Sequence, residues 1–161
     1  MADTPETEIV EVNFPADIEY IPALRRLVSE IANINKFTPR YAYRAEIIVD
    51  EICNNAVKFG SPQLDSRVKL KCMLHKDRME LVIVDQGGNK DDLERLRRVI
   101  EMDAEPGAAG AYQMRGRGLE IVRTLSNAVD MKVTADGVTE VHVVKVREDS
   151  EGPDSKRKEL P

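Results

Sequence analysis

The sequence predicts an α/β fold, a two-layer sandwich in which helices cover one face of a mixed, mostly antiparallel sheet. Three observations point to it. Apolar residues alternate with period two near both ends and in the middle of the chain, and two long segments between them carry apolar residues at helical spacing. The resulting order of strand, helix, helix, strands, helix, helix, strands is not the regular βαβ alternation of a parallel sheet.

Residues 8 to 14 form the opening strand, stopped by Pro15. Asp17 then caps a helix whose apolar positions are Ile18, Ile21, Leu24, Leu27, Val28 and Ile31, ending near Asn33. A second helix starts at Pro39 or Arg40 and runs to Phe59, where Gly60 and then Pro62 supply the stop. Val68, Leu70, Cys72 and Leu74 alternate with polar partners. The nearly unbroken apolar run Met79 to Val84 follows, as expected of a hairpin leading into a central strand. Leu93, Leu96, Val99 and Ile100 mark a short helix, and the Gly- and Ala-rich segment from Asp103 to Arg115 reads as a mobile lid. Gly116-Arg117-Gly118 opens a further helix, and strands at about 128 to 135 and 138 to 146 turn at Asp136-Gly137. One domain over 8–147 is expected, with a charged, disordered tail over 148–161.

Composition narrows the function. A net charge of -5 with 33% charged residues argues against a surface that draws nucleic-acid phosphates, and the absence of tryptophan removes a stacking platform for bases. Apolar runs such as Ile47 to Val49 are too short to cross a bilayer, and the acidic start has no signal-peptide pattern, so no membrane association and a cytoplasmic location are expected. Cys53 and Cys72 form neither a CxxC nor a metal-ligand spacing with His75 or His142, which suits two reduced, packed thiols.

Three segments carry candidate chemistry. On the second helix, Ala45, Ile48, Ile52, Ala56 and Phe59 share one face, and Glu51 and Asn55, one turn apart, lie along its edge. A carboxylate and an amide bordering a buried stripe need a ligand, a metal or a hydrogen-bond partner, unless the edge is simply a solvated flank with Asp50, Asn54 and Lys58. Asp85-Gln86-Gly87-Gly88-Asn89 follows an apolar strand. An acid there can accept from an exocyclic amine while glycine lets the backbone approach a flat ring, although the stretch also fits an ordinary turn. Gly116-Arg117-Gly118 at a helix start offers free N–H groups to phosphate. It is neither a GxxxxGK[ST] loop nor a complete GxGxxG.

In order, Glu-x-x-x-Asn-Ala on a helix, Asp-x-Gly after a strand, a small-residue segment, Gly-x-Gly-Leu opening a helix, and Thr139 on the last strand resemble the N box and the glycine boxes of GHKL ATPases. The resemblance extends from about residue 8 to 146 and implies their Bergerat ATP-binding fold. Through Val49-Asp50-Glu51-Ile52-Cys53-Asn54-Asn55-Ala56-Val57 and Gly116-Arg117-Gly118-Leu119-Glu120-Ile121-Val122-Arg123 the chain is most similar to anti-sigma factor serine kinases. It has no room for the added domains of sensor histidine kinases or of gyrase and mismatch-repair relatives.

The resemblance implies ATP and Mg2+ as ligands. Glu51 would be the general base, Asn55 the metal ligand and Asp85 the adenine selector. Gly87 would allow close approach, and Arg115, Gly116, Arg117, Gly118 and Leu119 would cradle phosphate, with Thr139 near the adenine. It further implies an anti-sigma-factor antagonist as the phosphorylated partner, a sigma factor as the sequestered one, and a homodimer. The chain departs from the family pattern at Phe59, often histidine, at Asn89 and Val138, often glycine, and at Met114, where some members place a lid arginine. Besides a kinase, the residues admit a nucleotide-controlled binding module that transfers no phosphate, or an interaction domain with a vestigial pocket.

Overall fold

The computed structural model describes residues 7–60, 64–87, 98, 113–134 and 137–148, with the side chains of 113–117 excepted. Of the helix expected near 93 to 100 only Arg98 is described, and it is helical; the segment 103 to 112, Gly88, Asn89, Asp136 and the tail beyond 148 lie outside the described residues.

Five strands, β1 (Glu8–Pro15), β2 (Arg67–Leu74), β3 (Arg78–Asp85), β4 (Ala128–Val133) and β5 (Thr139–Val146), form one sheet in the order β1-β2-β3-β5-β4. Among the described residues every pairing is antiparallel, so the sheet they form is antiparallel throughout rather than mixed. The reason lies in the connection between β3 and β4. They run the same way, but β4 enters at the edge and β5 turns back into the space between them, which removes the parallel contact a crossover would make.

Alternation sorts the side chains cleanly. Val68, Leu70, Cys72 and Leu74 of β2, Met79, Leu81 and Ile83 of β3, and Val141 and Val143 of β5 are buried toward the helices. Three helices pack on that face: α1 (Ile21–Ile34), α2 (Pro39–Phe59) and α3 (Gln113–Leu125). α1 contributes Ile21, Leu24, Val28, Ile31 and Ala32. Asp17 accepts from the Glu19 N–H at 2.9 Å, but it caps a separate 3-10 turn, Ile18–Tyr20, and Ile18 is exposed rather than part of the α1 stripe. Pro22 explains the break, since it suits the first turn of a helix and cannot lie further in.

α2 begins as its sequence dictates. Thr38 Oγ1 accepts from the Tyr41 N–H at 3.1 Å, with Pro39 at the first helical position. Tyr41 is fully buried. It stacks on Phe37, donates its hydroxyl proton to the Lys145 carbonyl and accepts from the Met79 N–H at 3.2 Å, tying α2 to β3 and β5. Cys53 and Cys72 are buried free thiols, and burial pushes both up, Cys72 to about 12.

The end of β5 is held by more than its ladder. Arg147 donates to the carbonyls of Lys76, Lys36 and Asn35, each at 2.9 Å, and its guanidinium lies 3.8 Å from the Phe37 ring centre. Glu148 pairs with Arg44 and, at 3.0 Å, with Lys145, so ordered contacts continue one residue past the boundary expected at 147. Lys145 is itself buried and donates to the Leu125 carbonyl at the C-terminal end of α3 at 2.8 Å, where a cation offsets the negative helix end.

Candidate nucleotide site

Two groups of residues meet where the C-terminal half of α2 faces the start of α3 and the exit of β3. The first is built on α2. Helical periodicity aims Glu51 and Asn55 the same way, beside the buried positions Ile48, Ile52 and Ala56. α3 crosses in front of them at Gly118. A Cβ on Gly118 would lie 2.4 Å from Glu51 Oε2 and 3.6 Å from Asn55 Nδ2, so glycine here lets α3 approach this pair with the Glu51 carboxylate left where it is. Asn55 Nδ2 is buried without a hydrogen-bond partner. Burial raises Glu51 above the usual carboxylate range, and Asp50 adds to the effect while Lys58 opposes it.

The second group is built on the sheet. Asp85 ends β3 and faces Thr139 across the ladder, at the start of β5. Asp85 is only 6% exposed, and burial pushes its carboxyl from 3.8 to about 6, against the lowering influence of the Gly87 N–H and the Thr139 hydroxyl. The Gly87 N–H donates to Asp85 Oδ1 at 2.8 Å. Thr139 Oγ1 is buried beside the carboxylate without completing a hydrogen bond, so its bonding capacity is open to a ligand. Gly87 has a φ of +82, in the left-handed region that favours glycine, and a Cβ there would lie 1.8 Å from the Gly137 carbonyl oxygen.

The structure thus brings Glu51, Asn55 and Gly118 together, and likewise Asp85, Gly87 and Thr139. Leu119 is different. Its side chain is in the core at 1% exposure, leaving only its backbone for a ligand. Gly116 does not open α3, as the glycine spacing had suggested. The helix starts at Gln113, because Gln113, Met114 and Arg115 are all good helix formers, and both glycines fall inside its first two turns. Arg115 and Arg117 lie on the same turns, with side chains outside the described residues.

Two contributors were missed in the sequence. The sequence marks Gly60 only as a helix stop and Gly137 only as a turn residue, yet each touches a residue of the candidate site. No local signal marks such contacts, which join residues 25 and 50 positions apart.

The family model described as the histidine kinase-like ATPase domain matches residues 14–145. The chain belongs to the histidine kinase-like ATPase family. Among its relatives is a serine-protein kinase RsbW of Bacillus pumilus, 26% identical over 137 residues that cover 82% of each chain. Another serine-protein kinase RsbW, of Halalkalibacterium halodurans, is 30% identical over 127 residues, covering 79% of this chain and 77% of the relative. The fold is similar to that in the SiaB-SiaC complex of Pseudomonas aeruginosa, with a TM-score of 0.67 at 15% identity, over 84% of this chain and 88% of that one.

The family is one of ATPases, so ATP is the ligand it implies for the chain. The fit to a nucleotide is physical as well. Asp85 offers a buried acceptor, and among the described residues the Thr139 hydroxyl and the buried nitrogen of the Asn55 amide meet no hydrogen-bond partner. Because the oxygen and nitrogen of an amide exchange on rotation about the side chain, Asn55 can present its oxygen to a hard cation.

Proposed function

We propose that this protein is a Mg-ATP-dependent serine kinase that phosphorylates an anti-sigma-factor antagonist and otherwise sequesters a sigma factor. The observation that carries the catalytic part is the meeting of Glu51 and Asn55 in front of Gly118, where a half-buried carboxylate with raised affinity for protons stands beside an amide whose nitrogen is buried without a partner among the described residues.

Each group has a task that its surroundings suit. Asp85 accepts from the adenine amine, and Gly87 leaves room for the ring. Asn55 holds magnesium through its amide oxygen, and the ion, when bound, offsets phosphate charge and fixes phosphate geometry. Glu51 takes the proton from the acceptor serine hydroxyl as its oxygen bonds to the γ-phosphorus and the bond to the β-phosphate oxygen breaks, releasing ADP. Partial burial raises the proton affinity of Glu51, which is the direction that favours a general base.

The antagonist, the sigma factor and a homodimer are inferred from the likeness to anti-sigma factor kinases. A cytoplasmic location follows the same reading, and no helix among the described residues is long and apolar enough to cross a membrane. Incubation with magnesium, γ-labelled ATP and candidate antagonists from the same genome is expected to label one antagonist. ATP binding with no labelling of any antagonist contradicts the kinase assignment and leaves a nucleotide-controlled binding module.

A further inference from the structure

We infer that Gly60, the residue that closes α2, determines base specificity by providing the notch that seats the Asp85 carboxylate. Gly60 is buried. A Cβ built on it would lie 2.1 Å from Asp85 Cγ and 2.3 and 2.4 Å from the two carboxylate oxygens, so the acid occupies the volume that any other residue's side chain needs. The backbone on both sides is fixed. The Gly60 N–H donates to the Ala56 carbonyl at 3.0 Å, and the Gly60 carbonyl accepts from the Gln86 N–H at 3.1 Å. The second of these bonds holds the end of α2 against the exit of β3, so moving the two segments apart to admit a side chain at 60 would break it. The carboxylate must move instead, away from the position where it accepts from the Gly87 N–H.

The φ of Gly60, -104, is open to any residue, so the demand for glycine comes from the neighbouring carboxylate and not from backbone strain. The same clamp joins the two halves of the site. Gly60 follows Asn55 by five positions on the segment that carries Glu51, so the end of the catalytic helix also forms the back wall of the base-reading acid.

The inference rests on Asp85 as the adenine acceptor. It is tested by measuring Mg-ATP and Mg-GTP affinity for the unaltered protein, Gly60→Ala and Gly60→Val. A displaced carboxylate loses a charge-assisted hydrogen bond to adenine but loses nothing toward guanine, which presents a carbonyl oxygen there. The ATP-to-GTP affinity ratio is therefore expected to fall roughly tenfold or more in Gly60→Ala, and further in Gly60→Val, with GTP affinity nearly constant. A ratio unchanged in Gly60→Ala overturns the inference, as does a parallel loss of both nucleotides, which marks a structural role only. If the unaltered protein itself does not prefer ATP, the reading of Asp85 fails and this inference fails with it. Should Gly60→Val not fold, Gly60→Ala alone decides.

Discussion

Asp85 is a buried acid that the ligand-free protein holds at a cost. Its carboxyl titrates at about 6 in the folded chain against an ordinary 3.8, so between those values the folded state binds more protons than the unfolded state. Stability must then fall as pH rises from about 4 to about 6 and stay lower above it, by roughly 3 kcal/mol for a shift of this size. Asp85→Asn keeps an oxygen for the Gly87 N–H and removes the buried charge. The variant is expected to be more stable than the unaltered protein by about 1–3 kcal/mol at pH 7.5 and nearly equal to it at pH 4, while losing its preference for ATP. Urea denaturation at the two pH values checks this, and an equal difference at both contradicts the origin given for the shift. The positions of Glu51, Asn55 and Asp85 were legible in the sequence because helical spacing and the end of an apolar run are local properties. The partners of Gly60, Gly87 and Gly118 were not, because a steric vacancy is filled by a residue remote in the chain.

Among the elements, α2 was legible from Thr38-Pro39 to Gly60 because its cap, stripe and stop all agree. α1 and α3 were less so. The Ile18 turn continues the apolar spacing of α1 without sharing its axis, and the start of α3 depends on helix-forming residues that the glycines obscured. At the close of the domain, a charged stretch gives no local sign that Glu148 pairs with Arg44 or that Arg147 donates to the Asn35 carbonyl. Arg147 meets three carbonyls belonging to the α1–α2 connection and the β2–β3 turn, together with the Phe37 ring. Arg147→Ala is expected to lower stability by roughly 2–4 kcal/mol, and Arg147→Lys to recover only part of it, because an ammonium lacks the planar fork that reaches several acceptors. A midpoint of urea unfolding unchanged in Arg147→Ala contradicts this account of the C-terminal end.

At the scale of the whole molecule, the two-layer arrangement was readable from element order, and the strictly antiparallel sheet was not, because strand order depends on where β5 returns. That topology places Asp85 and Thr139 on adjacent central strands, at the end of the sheet reached by the C-terminus of α2. The residues proposed for adenine recognition and for phosphoryl transfer thus meet on one helix, with Glu51 and Asn55 on its body and Gly60 at its close. The central claim is that Glu51 is the base of a serine kinase, and single-turnover transfer of γ-phosphate from Mg-ATP to the cognate antagonist tests it most directly. Glu51→Gln keeps the size and polarity of the side chain and removes the base, so ATP binding is expected to persist while the transfer rate falls by about 10²- to 10⁴-fold. Transfer by Glu51→Gln at the rate of the unaltered protein contradicts the claim.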